Sequence, residues 1–97
     1  MKTFGEIKNV LAQHKEELEQ RYKVKEIRIF GSVVRGEQVE KSDIDILVDF
    51  EEGADLFHLV GLALFLEEKL NQKIDVVPKG ALREEIKESV LKEAIPL

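Results

Sequence analysis

From Asp43 to Phe50 the chain reads Asp-Ile-Asp-Ile-Leu-Val-Asp-Phe, and this stretch restricts the fold more than any other. Side chains two apart share a strand face. Ile44, Ile46, Val48 and Phe50 therefore make one continuous apolar face, which predicts a central strand. The opposite face opens with Asp43 and Asp45, where a buried strand would carry apolar residues. Their Cα atoms would stand about 6.6–6.8 Å apart. Left unneutralised, two such carboxylates repel and resist burial. Together they can converge on one divalent cation, or on a pair roughly 3.5–4 Å apart.

The flanking sequence supplies the rest of an α/β chain. Thr3 followed by Glu6 reads as a capping box, and Ile7, Val10, Leu11, His14, Leu18 and Tyr22 keep helical spacing. One helix of about five turns is predicted there. Val24 to Phe30 alternates as a strand exposed on one side. Gly31-Ser32 breaks it, and Val33 to Gly36 forms a short helical turn. Beyond a Glu51–Ala54 turn, Asp55 is a plausible N-cap for Leu56–Leu70, which is so apolar that it should be the most buried helix. Lys73–Val77 is a third short strand, stopped by Pro78 and Gly80. Ala81–Ala94 is a last amphipathic helix with Leu82, Ile86, Val90, Leu91 and Ile95 along one side.

A long helical crossover joins strands two and three, which should be parallel and right-handed. Only about twelve residues join strands one and two, whose pairing must be antiparallel if Ser32 is to lie near Asp43. The expected fold is a single α/β domain over 1–97, a small mixed β-sheet flanked by helices. In that topology Asp75, early in strand three, reaches the same end of the sheet as Asp43 and Asp45.

Composition narrows the function. With 97 residues there is room for one core. A net charge of −5 argues against broad, charge-driven nucleic-acid binding. The chain has no cysteine, which removes disulfides and thiolate metal sites. No stretch reads as a signal peptide or a membrane span, so a soluble cytoplasmic protein is expected. His14 and His58 read as packing residues, and Arg21, Lys23, Lys25 and Arg28 as a solvated face.

A Gly31-Ser32 turn opening a helix offers N–H groups and a hydroxyl to phosphate oxygens. Arg35, one turn on, can add a bidentate contact to a triphosphate, or pair with Glu37 or Glu40 instead. Ser42 can shape the turn before strand two or touch ligand. Mg²⁺ takes oxygen ligands and bridges carboxylates to phosphates. Asp75 is placed to ligate a second Mg²⁺ or to accept the proton of an attacking hydroxyl. The chemistry these residues suit is nucleotidyl transfer.

Gly31-Ser32, ten residues, then Asp43-Ile44-Asp45 is similar to the GS-x10-DxD signature of the DNA polymerase β-type nucleotidyltransferases. Phe30-Gly31-Ser32-Val33-Val34-Arg35-Gly36-Glu37 and Ser42-Asp43-Ile44-Asp45-Ile46-Leu47-Val48 most resemble the shortest branch, the minimal nucleotidyltransferases (MNT or MntA type). Lys73-Ile74-Asp75-Val76-Val77 matches that family's third carboxylate, and the likeness spans nearly the whole chain. It implies a polymerase β-like fold, with Gly31 and Ser32 holding nucleotide phosphates and Asp43, Asp45 and Asp75 binding Mg²⁺. It also implies an antitoxin that transfers AMP from ATP to a tyrosine of a HEPN-domain toxin. A binding-only antitoxin and a small-molecule adenylyltransferase are the alternatives. The tail Ile95-Pro96-Leu97 and the last helix are candidate partner surfaces.

Overall fold

A computed structural model describes residues 3–37 and 43–96. Its elements, in order, are α1 (Phe4–Gln13), α2 (Lys15–Tyr22), β1 (Val24–Phe30), α3 (Ser32–Arg35) and β2 (Ile44–Phe50). They continue with α4 (Leu56–Leu70), β3 (Ile74–Pro78), α5 (Glu84–Glu93) and β4 (Ile95–Pro96). The sheet order is β3-β2-β1-β4. β2 is parallel to β3 and antiparallel to β1, as the connections require. Both prolines of the chain lie in the two outer strands, Pro78 in β3 and Pro96 in β4.

The Thr3–Glu6 capping box forms, but the first helix is two helices rather than one. The chain bends at His14 (φ −107°, ψ 16°), whose ring stands edge-on to Phe65 of α4 at 5.4 Å. Packing against a second helix outweighs local continuity here. Ile7, Leu11, Leu18 and Tyr22 all stay buried across the bend. Tyr22 also lies on Phe65, at 5.1 Å between ring centres, and close to Gly61, where a side chain would crowd its ring.

The main core gathers these residues with Ile27, Ile29, Ile44, Ile46, Val48, Leu62, Leu66, Leu70 and Ile74. β2 is interior to the sheet as its pattern predicts, and Leu47 is buried on its other face, outside that main cluster.

Two helices depart from expectation. Helix α4 begins at the predicted Asp55 cap, where the Asp55 carboxylate accepts from the His58 N–H at 3.2 Å. It is not buried all round: Leu62, Phe65, Leu66 and Leu70 face the core, while Leu56, Phe57, Val60 and Leu64 are exposed, Phe57 by 86%. A sheet with α1 and α2 beside it covers only one side of this helix. The last helix begins at Glu84 rather than Ala81, because Lys79–Ala81 makes a 3₁₀ turn and Leu82 and Arg83 are extended. No α5 side chain is buried, and Ile95 belongs to β4, opposite Ile29 of β1.

Candidate active site

Asp45 stands at the centre of the site because of two pairings. Across the antiparallel ladder it faces Phe30, the last residue of β1. Across the parallel ladder it faces Asp75, the second residue of β3. Both neighbours lie on the sheet face that also carries Leu47 and Val77.

Immediately after Phe30 the chain turns at Gly31, with φ +82° and ψ −153°. L-residues rarely adopt that φ. Space makes the same demand: a Cβ at Gly31 would run into Asp45 Oδ2 and stand 2.9 Å from its Cγ. The turn leads directly into α3, whose Val34 and Arg35 N–H groups donate to the Gly31 carbonyl at 3.1 and 3.2 Å. Gly36, in the left-handed region at φ +74°, closes it. The expected short helical turn forms, but over Ser32–Arg35 rather than Val33–Gly36, with Ser32 as its first residue.

Crowding shapes the charge of Asp45. Burial, then the charges of Asp75 and Asp43, raise the pKa of its carboxyl from the ordinary value, and Arg35 opposes them. Asp43 and Asp75 are exposed and Asp45 is half-buried. An open cleft of about 770 Å³ is lined by Gly31, Arg35, Asp45 and Asp75. Its far wall is α5 and the segment before it, with Leu82, Ile86, Val90 and Glu93. Asp43 does not line that cleft. Among the described residues, no group of three His, Cys, Asp or Glu side chains is gathered closely enough to hold a metal ion. A second hollow, about 170 Å³ beside Leu18, Ile27 and Pro96, contains none of the candidate residues.

Arg35 does pair with Glu37, at 3.1 Å, and more closely with Glu93, at 2.6 Å. Glu40, its other expected partner, and Ser42 lie outside the described residues. Sequence reasoning missed Glu93 and the whole α5 wall. Glu93 looks like an ordinary polar position on an amphipathic helix, and only the Ile95-Pro96 strand that follows could have signalled that α5 is tied back to the sheet. His14 and His58 are structural, the first against Phe65 and the second in the α4 cap. Arg21 and Arg28 bond Glu17 and Glu26.

Residues 11–97 match the family model of the nucleotidyltransferase domain. The chain belongs to this nucleotidyltransferase family. It is 46% identical over 95 residues to the protein adenylyltransferase MntA of Thermococcus cleftensis, covering 98% of this chain and 96% of that one. It resembles a solved structure assigned as a minimal nucleotidyltransferase at 41% identity and a TM-score of 0.79, over 94% of this chain and 95% of that one. A toxin–antitoxin structure with AMP-PNP matches at 26% identity and a TM-score of 0.70, over 87% and 69% of the two chains. The present nucleotidyltransferase is thus of the minimal type, a mixed sheet with helices and a cleft at the end where Asp45 and Asp75 meet. No helix of the described residues is long and apolar enough to cross a membrane.

Proposed function

We propose that this nucleotidyltransferase transfers AMP from ATP, with Mg²⁺, to a tyrosine hydroxyl of a HEPN-domain toxin, and so acts as its antitoxin. The observation that carries the reading is the pairing of Asp45 with Asp75 beside Gly31 on the floor of the cleft. The naming of the T. cleftensis relative and the AMP-PNP in the toxin–antitoxin neighbour favour the donor and the type of partner.

The residues suit the reaction. The donor set is hard oxygen and Asp45 already feels the charges of Asp43 and Asp75, which suits a small divalent cation. The three carboxylates stand too far apart as they are, however, and would have to close round it. Asp43, Asp45 and Asp75 would hold Mg²⁺, which supplies charge neutralisation for the triphosphate and a lower pKa for the attacking hydroxyl. The Gly31-Ser32 turn and Arg35 would seat the phosphates. The acceptor oxygen bonds to the α-phosphorus, the bond from that phosphorus to the bridging oxygen breaks, and pyrophosphate leaves. Asp75, exposed beside Asp45, would take the proton. The cleft beside Asp45 and Asp75 is open to solvent, so a partner protein would be able to present the hydroxyl there.

Intact-protein mass spectrometry of a candidate toxin incubated with this chain, ATP and Mg²⁺ tests the proposal. The toxin should gain whole AMP units, and Asp43→Asn with Asp45→Asn should abolish the gain. A tight complex with an unmodified toxin would make the chain a binding-only antitoxin.

A further inference from the structure

Arg35 is not a free surface arginine. Its Nη1 donates to Glu93 Oε1 at 2.6 Å and its Nε to Glu37 Oε2 at 3.1 Å. A guanidinium carries five N–H donors in a planar fork. Among the described residues two of these are engaged, which leaves three for an anion. Glu37 is a local partner, two residues along the chain. Glu93 comes from the far end of the sequence, as the last residue of α5, with its side chain 26% exposed.

The fold holds Glu93 in place without burying its helix. Ala94 N–H donates to Val90 O at 2.8 Å, closing the helix, and the next two residues join the sheet as β4. There Ile95 stands opposite Ile29, and Pro96 opposite Arg28. β1 itself runs through Phe30 and Gly31 into α3, which ends at Arg35. Both members of the ion pair are therefore referenced to β1, and both line the cleft that holds Asp45.

A loose arginine loses rotamer freedom when it grips an anion, whereas one already held in place does not. We propose that Glu93 is a positioning residue: it fixes the Arg35 guanidinium at the cleft wall, preorganised for the phosphates of the incoming nucleotide. The inference rests on the reading of Arg35 as a phosphate contact. Glu93 also places a negative charge near the bound polyanion, an opposing effect. Glutamine at this position keeps an acceptor oxygen and removes that charge.

The test is calorimetric titration of the full chain with AMP-PNP and Mg²⁺, which needs no acceptor. Thermal melts of each variant establish that it is folded. Arg35→Ala should weaken binding about tenfold, Glu93→Ala about fivefold, and Glu93→Gln should restore it to within about twofold. In the Arg35→Ala background, Glu93→Ala should cause no further loss, because the two act as one unit, and removing its charge from beside the polyanion should if anything tighten binding slightly. If Arg35→Ala weakens binding and Glu93→Ala does not, the positioning role is overturned while the phosphate contact stands. An equal loss from Glu93→Ala with and without Arg35 also overturns it. If Arg35→Ala binds as tightly as the wild type, the phosphate contact falls, and the role of Glu93 with it.

Discussion

Gly31 and Asp45 constrain each other, and at this scale each makes a prediction. Alanine at Gly31 meets both an unfavourable φ and the Asp45 carboxylate. Gly31→Ala should therefore cost about 1–3 kcal/mol, read by urea unfolding, and should weaken nucleotide binding because Asp45 has to move. Asp45 carries the opposite strain. Its pKa is raised by burial and then by Asp75 and Asp43, so the folded chain binds that proton more tightly than the unfolded one. The stability linked to the proton is fully present below the ordinary carboxylate value, about 3.9, and is lost as pH rises through the raised value. Asp45→Asn mimics the protonated side chain. Without added metal it should melt higher than wild type at neutral pH, and the gap should close on acidification. A variant that melts lower at neutral pH would contradict the crowding described here.

Among the elements, α4 separates what its sequence shows from what only packing decides. Leu56–Leu70 is recognisably a helix with an Asp55 cap, and the structure has those bounds. Which of its apolar residues are buried could not be read, because nearly every position is apolar and periodicity then carries no phase. Leu62→Ala should cost about 2–5 kcal/mol as a core truncation. Phe57→Ser should stay within about 0.5 kcal/mol, although Phe57 is the larger side chain. Unfolding of the two variants side by side checks this. The strands were more legible than the helices. Alternation gave the faces of β2, and its connections (about twelve residues on one side, a helical crossover on the other) gave the direction of its partners. Asp75 could therefore be placed at the same end of the sheet as Asp45; that the two are direct register partners came only from the structure. The bend at His14 was hidden because it preserves the apolar stripe of α1 and α2, and β4 because two residues carry no period. The Glu93 partner of Arg35 was hidden because 58 residues separate the two.

For the whole molecule, the cleft couples ligand to stability. If ATP needs Mg²⁺ to sit among these carboxylates, ATP alone should scarcely move the melting temperature. ATP with Mg²⁺ at a hundredfold its Kd should add about 2.7 kcal/mol, a rise of roughly 10–20 °C for a domain of this size. Differential scanning fluorimetry with and without chelator reads it, and equal shifts in both would sink the carboxylate-cation site. The sheet itself is small and open at both ends, and each end finishes on a proline, Pro78 on one side and Pro96 on the other. A proline has no N–H to offer, so a strand from another molecule finds an interrupted ladder at either margin. The domain is thereby protected from growing into an aggregate by edge-to-edge strand addition, a hazard for any four-stranded sheet that does not close into a barrel.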